Sequence, residues 1–147
     1  MNTERAILAW NHVYLLLGYK YDISLMADDI VQICDDILSM KHGTRLIHWP
    51  SNTFAAAWNV AWNSGVVSVE AQWNRVIGCT ESILAGKPRI SIPREDFLAE
   101  WKGPLDVVRA ALEMAGYTPG QISGLHRLQS VVARLPRYGH LYCNDEI

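Results

Sequence analysis

The sequence has little of what marks several large classes of protein. Only 19% of its 147 residues are charged and 50% are apolar, so the chain can bury a core and does not have a disordered composition. Its 13 basic and 15 acidic residues leave a formal charge of −2, without the basic surplus that nucleic-acid-binding proteins use to displace counterions. No apolar run reaches the roughly 18 residues of a transmembrane helix. We expect one soluble domain over residues 1–147 that binds no membrane and has no nucleic acid as its partner.

Cysteines are few, and no targeting signal is evident. Cys34, Cys79 and Cys143 are far apart and odd in number, and none belongs to a Cys-x-x-Cys pair. This favours three reduced, partly buried thiols over a zinc site or a redox motif. The first residues, MNTER, are not followed by a small-residue cleavage site, so we expect a cytoplasmic protein.

Enzyme motifs are missing as well. The sequence contains no GxGxxG, GxxxxGK[ST], GxSxG or HExxH, and no two of its five histidines stand at helical spacing. We therefore expect no catalytic residue, no metal and no cofactor. A cysteine and a histidine that meet only in space would leave a small enzyme without a recognisable motif as an alternative.

The amino-terminal segment is predicted to be helical. Residues 4–17, ERAILAWNHVYLLL, are strongly apolar and precede Gly18, as in a buried helix that ends at a glycine. A strand over Val13 to Leu17 is the alternative.

A second helix is predicted over residues 24–41. Apolar residues recur there at steps of three and four, which places them along one stripe of a helix. The stripe consists of Met26, Ile30, Ile33, Ile37 and Met40. We expect Asp22 or Ser24 to cap the start of this helix.

The middle of the chain, residues 44–73, is predicted to be sheet. Trp58, Val60 and Trp62 alternate with smaller or polar residues, and a second alternating arm follows a turn at residues 63–65. This predicts a hairpin with one buried face, which holds most of the tryptophans in the core. Helix remains the alternative for residues 53–62, because three consecutive alanines favour it. Arg89 to Ile92 would add a short strand.

The last third returns to helical spacing. An apolar stripe runs from Phe97 to Leu112, with Gly103-Pro104 expected to kink the helix or restart it. Another stripe runs from Ile122 to Leu135. The predicted fold class is α+β in a single domain: two amino-terminal helices, a small antiparallel sheet with a tryptophan-bearing hairpin, and carboxy-terminal helices.

The clearest candidate site is an acidic face on the second helix. Between Asp22 and Asp36 the chain has five acids and no base, so no neighbour in sequence neutralises them. The arc opposite the apolar stripe carries Asp28, Asp29, Gln32, Asp35 and Asp36, together with Ser39. Such a face projects a negative potential over about 8 to 10 Å and would attract a basic partner. The alternative is an ordinary solvated face, although aspartate is a poorer helix former than glutamate.

A helix-turn-helix is the competing interpretation of residues 107–135. The segment reads as an apolar helix, a glycine-containing turn and a second helix that carries His126, Arg127 and Arg134. A nucleic-acid-binding regulator would follow from it. An ordinary pair of packed helices accounts for the same pattern.

The layout from Ala57 to Tyr117 is similar to that of a known class of protein. AWNVAWNSGVVSVEAQW is followed by RISI, then by DFLAEWKGPLDVV and ALEMAGY. This tryptophan-bearing hairpin before a Phe-Leu-x-x-Trp helix resembles small α+β immunity proteins of bacterial contact-dependent or polymorphic toxins. The resemblance implies a stoichiometric inhibitor whose partner is a cognate toxin, often a nuclease with a basic active site. It implies function through surface charges, and it carries over no residue from a family motif.

Overall fold

The computed structural model describes residues 5–138, which form two antiparallel sheets and four helices. The strands are β1 (Arg5–Trp10), β2 (Val13–Gly18), β3 (Gly43–Pro50), β4 (Phe54–Trp62), β5 (Val66–Val76) and β6 (Arg89–Pro93). The helices are α1 (Ser24–Ser39), α2 (Glu81–Ala85), α3 (Arg94–Met114) and α4 (Leu125–Arg134), and one turn of π-helix (Tyr19–Ile23) joins β2 to α1. The α+β class is therefore confirmed. Within the described residues, no helix combines the length and apolar composition needed to cross a membrane.

The prediction of two amino-terminal helices is wrong. β1 and β2 pair antiparallel from Arg5–Gly18 to Trp10–Val13, and only α1 follows them. The two residues between the strands, Asn11 and His12, have φ values of 46° and 70°. Positive φ at both central positions gives the type I′ turn whose twist matches that of a hairpin.

Buried and exposed residues alternate along this hairpin, but the sequence does not indicate the alternation because the exposed residues are also apolar. Leu15 and Leu17 are buried, whereas Tyr14 is 73% and Leu16 is 45% exposed. A strand that is apolar on both faces lacks the period-two contrast that distinguishes it from a buried helix. The strand alternative for Val13 to Leu17 is what the chain adopts.

The second sheet has the strand order β3-β4-β5-β6, with all neighbours antiparallel. The predicted strand character of residues 53–62 is confirmed by β4, and the turn at residues 63–65 joins β4 to β5. Trp58, Val60 and Trp62 all point to the buried face, as their alternation predicts. The strand predicted from Arg89 is confirmed as β6.

Helix α1 confirms four of the five positions of its predicted apolar stripe. Met40, the fifth, follows the end of the helix and is 44% exposed, and neither predicted cap forms. Met26, Ile30, Ile33 and Ile37 are buried, with at most 1% exposure. No side chain caps the start of α1. The Ser24 hydroxyl instead donates a hydrogen bond of 2.5 Å to the carbonyl of Lys20 in the π-helical turn.

Asp22 is buried in a different role, at the junction of the hairpin, the π-helical turn and the second sheet. Its carboxylate accepts hydrogen bonds from the Gly18 amide at 2.7 Å, from the Thr53 hydroxyl at 2.7 Å and from the Ser51 hydroxyl. Buried carboxylates need such donors. Asp22 therefore does not contribute to the acidic surface.

Helix α3 is one continuous element, so the predicted restart at Gly103-Pro104 does not occur. Proline removes one backbone hydrogen bond from a helix interior. Trp101 and Leu105 are buried on either side of Pro104, and their packing keeps both halves of α3 against the core. α4 begins at Leu125, three residues after the predicted start of its apolar stripe.

A cluster of aromatic rings connects the two sheets with α3. The Trp10 ring of β1 lies 5.5 Å from Trp58 and 4.9 Å from Trp73, and Trp49 stacks on Trp101 of α3 at 6.3 Å. The Trp10 indole also donates to the Lys87 carbonyl at 2.7 Å. These contacts place the hairpin and α3 on the buried face of the second sheet.

Candidate functional site

The predicted acidic residues lie together on the outer face of α1, as their spacing requires. Asp28 and Asp29 are exposed, whereas Gln32, Asp35 and Asp36 are partly buried. We call these five residues the α1 face. Their neighbours come from β3 and from both ends of α4.

Asp36 is paired with an arginine of β3. One carboxylate oxygen of Asp36 accepts two hydrogen bonds from Arg45, from Nε at 2.8 Å and from Nη2 at 2.5 Å. The other oxygen accepts the Gln32 amide at 2.9 Å. Because the Asp36 side chain is only 15% exposed, this pair is partly shielded from solvent.

Asp35 is paired with two arginines of α4. Arg134 Nη2 lies 2.5 Å from one oxygen, and Arg127 Nε lies 3.6 Å from the other. Arg127 also donates a hydrogen bond to Gln32 Oε1. No neighbour in sequence neutralises Asp35 or Asp36, but β3 and α4 supply arginines that pair with both of them.

Asp28 and Asp29 differ from the other two acids. Within residues 5–138, neither has a cationic partner, and both are exposed. Asp28 stands close to the turn before α4: a Cβ atom on Gly124 would lie 3.0 Å from Asp28 Oδ1. A glycine at position 124 thus allows α4 to approach this carboxylate.

These residues border a polar cleft of about 510 Å³ between α1, β3 and α4. Its lining includes Asp28, Asp29 and Gln32 from α1, Arg45 from β3, Ser123 and Gly124 from the turn before α4, and Arg127 from α4. Two carboxylates and two guanidinium groups therefore face a shared space. Such a cleft can receive a cationic side chain at the aspartates and an acceptor at the arginines.

Sequence reasoning missed the arginines of this site. Arg45 lies nine positions after Asp36, and Arg134 lies 99 positions after Asp35. In the sequence, Arg127 and Arg134 are indicated only as basic residues of the alternative recognition helix. Their placement against α1 depends on how α4 packs, which no local pattern encodes.

Neither Cys34 nor Cys79 lines the cleft. Cys34 is on the buried side of α1, where burial and then the nearby Asp35 charge raise the pKa of its thiol and disfavour the reactive thiolate. Cys79 is exposed, and Cys143 lies outside the described residues. In residues 5–138, no group of three or more His, Cys, Asp or Glu side chains is placed to hold a metal ion.

Comparison with known proteins adds no family to these observations. The α1 face and its cleft must therefore be interpreted from their own geometry. No family model matches this chain, and no curated protein or solved structure matches it either.

Proposed function

We propose that this chain is an immunity protein, which binds a cognate bacterial toxin and neutralises it by stoichiometric protein–protein interaction. The observation that carries the proposal is the position of Asp28 and Asp29. Two adjacent exposed carboxylates, without a cationic partner in residues 5–138, lie at the rim of a cleft. The layout resemblance between Ala57 and Tyr117 points to the same class of protein.

The members of the α1 face have different roles in this proposal. Asp28 and Asp29 meet the partner, since their charges are free to pair with it. Asp35 holds Arg127 and Asp36 holds Arg45, the two arginines that line the cleft, so these acids set its shape. A cleft whose side chains are already ordered loses less conformational entropy on binding.

The partner that suits this surface is a basic protein with at least one lysine or arginine that reaches the cleft. A nuclease toxin has this chemistry, because an active site that binds nucleic acid is positively charged. Arg45 and Arg127 beside the aspartates would repel a second cation. We therefore expect the partner to place one cation, followed by a neutral or acidic group, along the cleft.

The nucleic-acid-binding alternative gains no support from the arrangement of α4. Arg127 and Arg134 form ion pairs with Asp35. This carboxylate partly neutralises the charge that a recognition helix would direct at phosphates. No specific observation favours the small-enzyme alternative.

The test is co-expression of this chain with the protein encoded by the adjacent reading frame. We expect that protein to arrest growth alone and this chain to restore growth. The double variant Asp28→Asn/Asp29→Asn should lose most of the protection while remaining folded, because both side chains are exposed. The matched control Glu95→Gln/Asp96→Asn removes two adjacent exposed charges at the start of α3 and should protect like the wild type.

Binding kinetics of the purified pair show whether Asp28 and Asp29 act mainly on the association rate or on the dissociation rate. Loss of charges at the rim should slow association and flatten its dependence on salt. Loss of carboxylates buried in the complex should instead speed dissociation. Unchanged rates for Asp28→Asn/Asp29→Asn at every salt concentration would show that the α1 face is not the binding surface.

A further inference from the structure

The π-helical turn and the first turns of α1 form one continuous helical surface. Ile23 and Ser24, at the junction of the two elements, both have right-handed helical backbone angles, so the helix does not break there. Residues four apart on such a helix lie above one another. Two adjacent rows with this spacing are exposed along their whole length: Lys20, Ser24 and Asp28 in one, and Tyr21, Leu25 and Asp29 in the other. We call these six residues the two-row surface.

The two ends of this surface carry opposite charges. Lys20 lies at one end, and Asp28 and Asp29 lie two helical turns further on, about 11 Å away, which is too far for an ion pair. None of the three forms an ion pair among the described residues. The Nζ atom of Lys20 instead lies 5.1 Å from the centre of the Tyr21 ring.

The middle of the surface carries no charge and is partly apolar. Tyr21 and Leu25 are each 59% exposed, although they lie on adjacent turns of one helix. The Ser24 hydroxyl beside them already donates its hydrogen bond to the Lys20 carbonyl. Such a centre can come into close contact with another helix, and this contact would remove the two apolar side chains from water.

The order of these groups makes the surface complementary to a second copy of itself. If two copies pack with their helices antiparallel about a two-fold axis near Leu25, each row faces the same row of the other copy in reverse. Lys20 then faces Asp28 of the second copy, and Tyr21 directs its hydroxyl at Asp29 of the second copy. The two Leu25 side chains pack on each other. A parallel arrangement would instead place like charges together.

We propose that this chain forms a homodimer through the two-row surface, with the two helices antiparallel. Only six side chains of each copy meet, so the dimer is weak and reversible, as is typical of small interfaces. The ion pairs between Lys20 and Asp28 set the register of the helices, and the two Leu25 side chains exclude water at the centre.

The dimer and the toxin complex use the same carboxylates. Asp28 and Asp29 contact the second copy in the dimer and the toxin in the proposed function. The two complexes therefore exclude each other, and toxin binding dissociates the dimer. This consequence rests on the proposed function, whereas the dimer itself does not.

Sedimentation equilibrium of the full chain measures the dimer directly. We expect the average mass to rise from that of a monomer toward twice that value between about 10 μM and about 1 mM protein. The dissociation constant should increase at high salt, because salt screens exposed ion pairs. Leu25→Ala should raise it about tenfold. Because Leu25 is exposed in the monomer, this change should leave folding intact.

A pair of charge-reversal variants tests the register. Lys20→Asp and Asp28→Lys each place like charges opposite one another, so each variant alone should remain monomeric. In an equal mixture, the two variants have opposite charges at both contacts and should form a heterodimer. Lys41→Asp, the same change at an exposed lysine beyond the end of α1, is the control and should dimerise like the wild type. Far-ultraviolet circular dichroism verifies that each variant is folded.

The proposal is wrong if the wild type stays monomeric over this concentration range. It is also wrong if Lys20→Asp dimerises like the wild type, because the dimer would then use another surface. A mixture of the two charge-reversal variants without a heterodimer would equally contradict it. A dimer that behaves as expected while the protein of the adjacent reading frame fails to bind would contradict the proposed function alone.

Discussion

The guanidinium of Arg134 lies 2.5 Å from the carboxylate of Asp35 and thereby ties α4 to α1 across 99 positions of sequence. The two side chains are 44% and 23% exposed, so solvent screens their attraction. We expect a coupling free energy of no more than about 1 kcal/mol. A double-mutant cycle with Arg134→Gln and Asp35→Asn, measured by urea unfolding, gives this value. The coupling should shrink at high salt; a salt-independent coupling of several kcal/mol would contradict this.

The buried carboxylate of Asp22 should contribute far more to stability. Asp22→Ala leaves the Gly18 amide and the hydroxyls of Ser51 and Thr53 without their acceptor. We expect it to lower the free energy of unfolding by about 2 to 4 kcal/mol. Asp29→Ala, at an exposed position of α1, is the control and should change it by less than about 0.5 kcal/mol. Equal effects of the two substitutions would mean that the Asp22 hydrogen bonds are not important for folding.

Glu81 should make stability depend on pH in acid. The Val76 amide donates to its carboxylate at 2.8 Å, and this hydrogen bond lowers the pKa of Glu81 below its ordinary value of 4.5. A lowered pKa in the folded state means that the stabilisation is complete above the unfolded pKa and is lost as pH falls through the folded pKa. Glu81→Gln should therefore lose less stability than the wild type between pH 6 and pH 3, a window of about one unit or more on either side of 4.5. Urea midpoints of both proteins at these two pH values measure the effect. Equal losses of stability in Glu81→Gln and the wild type would contradict the prediction.

The aromatic cluster leads us to expect one cooperative unfolding transition. Trp10 of the hairpin contacts Trp58 and Trp73 of the second sheet, so the hairpin should not unfold separately. Tryptophan emission and far-ultraviolet circular dichroism should report the same midpoint. Trp10→Phe should lower that midpoint without separating the two signals. Two resolved transitions would contradict the expectation of a single domain.

The parts of the fold that were predicted correctly are those with a strong local pattern. α1 has buried residues at steps of three and four, and β4 alternates between buried and more exposed positions. Each pattern matches the geometry of one element alone. The hairpin of β1 and β2 was missed because Ile7 and Leu16 make its solvent face apolar as well. Its turn gives little further local signal, because Asn11-His12 lacks the glycine that usually marks a type I′ turn.

The sequence by itself determined that the four aspartates share the outer face of α1, because helical periodicity depends only on their spacing. Only the tertiary structure decided which of these charges stay free. Packing of α4 and β3 brings Arg134 to Asp35 and Arg45 to Asp36, whereas it leaves Asp28 and Asp29 exposed at the cleft. Ion pairs form between atoms a few ångströms apart in space, and that proximity follows from the packing of elements that are distant in sequence.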